Sequence, residues 1–338
     1  LYAAGLAIKQ ARYASGIMRP ETLTAPVISV GNLSVGGGGK TPLVIRLAEL
    51  LAARGFAVDV LSRGYGRQSP GVERVALDEK GEQGGRPAAE RYGDEPLLIA
   101  LATGVPVYVG ADRHAAGLVA EQEPATGVRV HLLDDGFQHR QLDRKVDIVV
   151  LHRSDFSESL LPAGRLREPM RALKRASVLV MRVEDAGCEP VLRRRGIDLP
   201  IWWMTREIVP PVGVALQPAV AFCGIAHASE FFGSLSRAVI PVVATHAFAD
   251  HHLYTDADVD GLVNSLRQHG SSALLTTEKD LIRLSSEQLA KLRGAARLEG
   301  VPLQARLLVE DQAMARLLEM AGLQQVPGSA AHGRRWGD

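Results

Sequence analysis

Cysteine is nearly absent: Cys188 and Cys223 are the only two in 338 residues. They show neither metal-ligand spacing nor the density of an oxidised scaffold, so a disulfide framework is excluded, a reducing cytoplasm fits, and both read as buried thiols. Net charge is also missing, since 39 Lys+Arg against 38 Asp+Glu leave +1. That balance excludes an extended nucleic-acid footprint, and no RNA- or DNA-binding motif is visible, so no nucleic-acid partner is expected. No run approaches the ~20 apolar residues that span a bilayer. The first residue is Leu rather than Met, so an N-terminal piece is expected to precede it.

What is present is globular. Hydrophobic residues make up 46% and charged ones 23%, and the length suits two ordinary domains. The chain is organised around residues 27 to 41. Val27 to Val30 reads as a buried parallel strand, and from Lys40 apolar residues recur at helical spacing, Leu43, Val44, Leu47, Leu50 and Leu51. Between them lies the glycine-rich stretch Gly36, Gly37, Gly38 and Gly39. A strand, a glycine loop and a helix start leave unpaired backbone N–H groups at the positive end of a helix dipole, where a phosphate binds. Lys40 is expected to reach the β- and γ-phosphates and Thr41 to hold Mg²⁺. The usual P-loop pattern is met except at its first position, which is Ser34.

The rest alternates strand and helix. A second strand, Ala57 to Leu61, leads into Arg63-Gly64-Tyr65-Gly66-Arg67; its arginines can face phosphate and Tyr65 can stack on a ring, or the loop is a mobile, solvated one. Residues 68 to 92 read as an insertion or lid. Asp94 opens a helix, either as its N-cap or as a carboxylate accepting a proton from an attacking hydroxyl. Val128 to Leu133 is a buried strand ending in Asp134-Asp135, the arrangement that holds Mg²⁺ beside a P-loop. Asp250-His251-His252 is a metal cluster, a histidine proton relay, or a solvated turn. Leu1 to Ile17 is a basic amphipathic segment suited to a membrane surface, or an ordinary packed helix.

These readings give an α/β protein, a P-loop NTPase-like, mostly parallel sheet flanked by helices with a smaller second α/β domain. The expected division is an N-terminal helix at 1–20, a P-loop domain at 21–190, a linker at 191–215, the smaller domain at 216–325 and a tail at 326–338. Within the P-loop class an alternative is a nucleotide-driven ATPase switch of the metal-chaperone or partitioning type. Val35 stands where that class often carries an additional lysine.

In order from about residue 26 to 283, Val-Gly-Asn-Leu-Ser-Val-Gly-Gly-Gly-Gly-Lys-Thr-Pro, Ser-Arg-Gly-Tyr-Gly-Arg, Gly-Asp-Glu-Pro, Leu-Asp-Asp-Gly-Phe-Gln-His, Leu-Arg-Glu-Pro, Phe-Ala-Asp-His-His-Leu-Tyr and Thr-Thr-Glu-Lys-Asp resemble the tetraacyldisaccharide 4'-kinase family, the lipid A 4'-kinases of Gram-negative bacteria. The resemblance implies ATP- and Mg²⁺-dependent phosphorylation of the 4'-hydroxyl of an acidic glycolipid, a tetraacylated glucosamine disaccharide 1-phosphate, at the cytoplasmic face of the inner membrane. It implies Lys40 and Thr41 on nucleotide phosphate and Mg²⁺, with Asp134, Asp135 and Glu168 around the metal. It implies a catalytic dyad of Asp94 and His251, phosphate or transition-state contacts from Arg113 and Arg167, and Tyr65 and Gln138 as further nucleotide-site members. Gly38 departs from the family, which usually has Thr there.

Overall fold

The computed structural model describes residues 2, 5–6, 11–13, 15–36, 39–77, 86–210 and 217–324. Its larger part is a nine-stranded sheet. The first strand, β1 (Val27–Asn32), feeds the glycine loop and helix α1 (Lys40–Ala52), followed by β2 (Ala57–Ser62), β3 (Glu73–Arg74), α2 (Arg86–Tyr92), α3 (Asp94–Thr103), β4 (Val107–Val109), α4 (Arg113–Gln122), β5 (Arg129–Asp134), β6 (Val146–Leu151) and β7 (Val178–Arg182). A short helix α5 (Glu189–Arg194) precedes β8 (Ile201–Ile208), and the smaller part follows. It comprises β9 (Ala219–Cys223), α6 (Ala228–Arg237), β10 (Val242–Ala247), α7 (Asp256–His269), β11 (Ala273–Thr277), α8 (Glu278–Leu281), α9 (Ser286–Ala295) and β12 (Arg297–Val301). The chain then returns through β13 (Leu303–Leu307) and α10 (Glu310–Ala321).

The large sheet runs β13-β8-β7-β6-β1-β5-β2-β4-β3, with only the edge strands β13 and β3 antiparallel to their neighbours. The small sheet runs β10-β9-β11-β12 and is parallel throughout. Central parallel strands must hide both faces. Ile28 and Val30 of β1 accordingly pack with Leu43, Val44 and Leu47 of α1 on one face, and Val27 packs with Leu61 and Leu133 on the other. The pairing of β1 with β5 sets Val30 opposite Asp134. One ladder therefore delivers both the glycine loop and the paired aspartates to a single edge, the carboxyl edge where α/β sheets bind ligands.

The structure differs from the expected organisation in three places. Residues 191–215 are not simply a linker, because Ile201–Ile208 is a strand of the large sheet, pairing parallel with β7 and antiparallel with β13. Ile201–Ile208 opens with four apolar residues but continues through Thr205, Arg206 and Glu207 and is mostly half-buried, so it lacks the continuous apolar pattern of the central strands. The segment 303–321 belongs with the first part as well: Leu307, Met314 and Leu317 share a core with α1, and Arg46 donates to both oxygens of Glu310 at 2.8 and 2.6 Å. The stretch 68–92 contributes β3 and α2 rather than only an irregular insertion. Among the described residues no helix is long and apolar enough to cross a membrane.

Candidate active site

The glycine loop opens where β1 stops. Gly36 and Gly39 sit at φ 99° and 81°, in the left-handed region that suits residues without a Cβ. A Cβ on Gly36 would collide with the Arg165 guanidinium, which donates through Nε and Nη2 to the Val35 carbonyl at 3.2 and 2.9 Å. Gly37 and Gly38, and with them the departure at Gly38, lie outside the described residues. Gly39 caps α1 without any side-chain hydrogen bond, so the amides at the helix start keep their capacity for an anion. Arg206 of β8 packs on this cap, with Nη1 at 3.2 Å from where a Gly39 Cβ would stand.

Lys40 and Thr41 are the first two residues of α1. The Lys40 ammonium lies between Asp135 Oδ1 at 2.8 Å and Asn32 Oδ1 at 3.0 Å. Arg167 grips Asp135 with two parallel bonds of 2.7 Å and also donates to Asn32 Oδ1. Burial pushes the Asp135 carboxyl up, but the charges of Lys40 and Arg167 outweigh it and hold it well below the ordinary carboxylate range. Asn32 was not singled out from the sequence. A polar side chain closing an apolar strand was the available signal.

Asp134 is 4% exposed and accepts a hydrogen bond from Ser62 Oγ at 2.9 Å. Burial, then the neighbouring Asp135, push its carboxyl up to about 6, and Glu95 stands close enough for its charge to add to the rise. Its other oxygen, Oδ1, is buried with no hydrogen-bond partner. An orphaned carboxylate oxygen with a second carboxylate beside it is a hard-oxygen pair that fits Mg²⁺, which takes one or two protein carboxylates and keeps waters and phosphate oxygens for the rest. Glu168 is engaged by an arginine. Its buried carboxylate forms a two-bond pair with Arg175 at 2.9 and 3.0 Å, and among the described residues no three His, Cys, Asp or Glu side chains gather as a metal-holding group.

Arg113 opens α4, is 6% exposed and donates to the Ala111 carbonyl at 2.7 Å, leaving its Nε buried and unpartnered. Burial and then Arg63 push the guanidinium down to about 10, while Asp135 and Asp134 act the other way. The cation is thus stationed near the paired aspartates at a cost that an anion would offset. Gln138 donates to the Asn32 carbonyl at 2.9 Å and helps to line a cavity of about 350 Å³ with Tyr2, Leu6, Arg140, Arg167 and Glu168. Tyr65 is 74% exposed. Its loop lies against the start of α3: a Cβ on Gly93 would be 3.0 Å from Gly64 Cα.

Asp94 does not cap its helix. Gly93 occupies that position, and the Asp94 side chain turns to the small domain. Its Oδ2 receives His251 Nδ1 at 3.0 Å, Arg283 Nε at 2.9 Å and Arg283 Nη2 at 2.7 Å. Burial pushes this carboxyl up, but the His251 hydrogen bond and the Arg283 charge prevail and hold it at about 2. His251 sits at φ 58°, a strained setting for a side chain of this size and a common one at functional sites. Reading the sequence missed Arg283. The short helix with Asp280 three residues before it was the only hint.

Comparison with known proteins follows this geometry. The sequence profile described as "Tetraacyldisaccharide-1-P 4'-kinase" matches residues 1–322, well past residue 283 where the motif resemblance fades. The tetraacyldisaccharide 4'-kinase of Koribacter versatilis is 40% identical over 332 residues, covering 95% of this chain and 96% of that protein. The Geobacter metallireducens protein of the same name is 40% identical over 301 residues, covering 84% and 86%. The crystal structure of LpxK from Aquifex aeolicus in complex with ATP superposes with a TM-score of 0.74 at 32% identity, over 94% of this chain and 96% of that one. A match of this length, on a fold that sets Lys40 of the glycine loop against Asp135 and pairs Asp94 with His251, selects a phosphotransferase over a nucleotide switch: the chain belongs to the tetraacyldisaccharide-1-P 4'-kinase family.

Proposed function

We propose that this kinase transfers the γ-phosphate of ATP, with Mg²⁺, to the 4'-hydroxyl of a tetraacylated glucosamine disaccharide 1-phosphate in lipid A biosynthesis. The observation that carries the reading is the pairing of Asp94 with His251, in a chain that also sets a glycine-loop lysine against a strand-end aspartate and whose relatives are named for this transfer. A nucleotide switch needs no such dyad.

The loop amides of residues 36–39 and the start of α1 bind the β- and γ-phosphates, and Lys40 exchanges Asp135 for phosphate oxygens. Held by Thr41, Asp134 and Asp135, Mg²⁺ would neutralise charge on the transferred group. Arg113 and Arg167 bring further positive charge to the same edge. An ionised Asp94 has no proton to give, so in their contact His251 carries hydrogen on Nδ1. Asp94 Oδ1 receives no donor among the described residues, and it orients the acceptor hydroxyl. A carboxylate held at about 2 is a weak base, so its contribution is mainly positional. A loose transition state suits that, because the attacking oxygen loses its proton late.

An acceptor with four acyl chains belongs to a membrane surface. We therefore place the protein at the cytoplasmic face of the inner membrane, with the basic amphipathic residues 1–17 as its contact. The experiment is transfer of labelled γ-phosphate from ATP to a purified lipid A disaccharide precursor in detergent, with and without Mg²⁺. Labelled lipid only with Mg²⁺ is the expected result. ATP consumption indifferent to the lipid would sink the reading.

A further inference from the structure

Arg283 is a buried cation that the proposed reaction has not yet used. Its side chain is 3% exposed, just beyond α8, and the local structure holds it firmly. Asp280 is fully buried and accepts from Gly224 N at 2.9 Å, the Tyr254 hydroxyl at 2.9 Å and Thr277 Oγ1 at 2.5 Å. On that platform Arg283 Nη1 lies 3.3 Å from Asp280 Oδ1 and donates to the Gly224 carbonyl at 2.6 Å. The remaining edge of the guanidinium, Nε and Nη2, is aimed at one atom, Asp94 Oδ2, across 189 residues of sequence.

Three donors therefore converge on Oδ2: two from Arg283 and Nδ1–H of His251. Nη2 of Arg283 is also 3.1 Å from His251 Nδ1, a contact between two donors that only the shared carboxylate makes tolerable. An oxygen so occupied has no room for a substrate hydroxyl. No donor among the described residues reaches Oδ1.

We propose that Arg283 is a positioning residue for phosphoryl transfer, which locks the rotation of the Asp94 carboxylate so that Oδ1 faces the acceptor hydroxyl and His251 keeps its hydrogen on Nδ1. The inference rests on the sugar-kinase reading and deepens it. It assigns the small domain a chemical task, since the acid is anchored on the large domain and its orientation is supplied by the small one. The rival role, a pin that merely docks the two domains, has its own representative beside it. Lys279 pairs with Glu95 at 2.5 Å across the same boundary and leaves the Asp94 carboxylate unbonded.

The test compares Arg283→Met, Arg283→Lys and Lys279→Met in the full chain, each with wild-type Asp94 and with Asp94→Asn. Arg283→Met should lower kcat by ~10- to 100-fold with KM for ATP changed by less than ~3-fold, and the same change on the Asp94→Asn background should cost less than ~3-fold. Arg283→Lys, which retains the charge and should retain the fold, should lose ~3- to 10-fold and show the same non-additivity. Lys279→Met should cost less than ~3-fold. Equal losses on both backgrounds, or a Lys279→Met loss as large as that of Arg283→Met, would overturn the proposal.

A second readout needs no turnover. The groups facing Asp94 are His251, Arg283 and Lys279 from the small domain and Glu95 from its own helix, and only Arg283 changes. The Asp94 carboxyl is held at about 2 by His251 and Arg283, so the titration of its resonance should move toward the ordinary value of 3.8 in Arg283→Met and partway in Arg283→Lys. An unmoved titration overturns the proposal. Absence of glycolipid phosphorylation by the wild type would overturn the functional reading alone, and this titration would still decide the role of Arg283.

Discussion

Asp134 and Asp135 are consecutive, yet their carboxyls are driven in opposite directions: Asp134 is pushed up to about 6 by burial, whereas Lys40 and Arg167 hold Asp135 well below the ordinary range. The backbone is the cause. Asp134 ends β5 inside the sheet, and Asp135 takes φ 51°, which swings its carboxylate out to the two cations.

In the proposed reaction Lys40 and Arg167, with the Mg²⁺ that Asp134 and Asp135 would hold, supply the charge neutralisation that phosphoryl transfer depends on, and Asp94 mainly positions the hydroxyl. Lys40→Ala and Asp135→Ala should therefore each lower kcat by ~10³-fold or more, against ~10- to 100-fold for Asp94→Asn. Steady-state assays with saturating lipid check the order. Equal losses at all three positions would refute this division of labour.

Asp134→Asn should separate function from stability. An acid raised above its unfolded value of 3.8 costs stability as pH climbs through the window from about 4 to about 6, and the cost is fully present at pH 8. The amide carries no charge and can still accept from Ser62. Without Mg²⁺ at pH 8, thermal melting should show the variant at least as stable as wild type, while its Mg²⁺ requirement rises by ~10-fold or more. A markedly lower Tm would contradict the electrostatic account.

Asp94 gives the opposite pH dependence. Its folded carboxyl is held at about 2, below the ordinary carboxyl value of 3.8, so its contribution is present above pH 4 and is lost as pH falls toward 2. The stake is on the order of 2 kcal/mol. Urea titrations between pH 5 and pH 2 should show a shallower loss of stability for Asp94→Asn than for wild type.

Gly31 lies inside β1, where a Cβ would stand 2.6 Å from Phe137 Cβ and 2.7 Å from Phe137 N. The tight approach clamps the turn after Asp135 onto the strand that feeds the phosphate loop. Gly31→Ala must push that turn outward, with an expected cost of ~2–3 kcal/mol and weaker ATP binding. Calorimetry of ATP binding together with a denaturant melt checks both effects, and unchanged values would show that the turn has slack.

The strand, glycine loop and helix of residues 27–52, the strand that ends at Asp134, and the α/β class were legible in the sequence by itself. Each is decided within a few residues, by apolar periodicity and by the chemistry of a helix start. The motif resemblance added the pairing of Asp94 with His251, which no local pattern contains. Only the tertiary structure showed Arg283 on the same carboxylate oxygen, Asn32 between Lys40 and Arg167, Glu168 turned to Arg175, and Ile201–Ile208 as a strand of the large sheet. Those relationships join segments far apart in the chain, or choose among partners that composition makes equivalent. A side chain's neighbours along the sequence set its backbone, but the charge that meets it is set by packing.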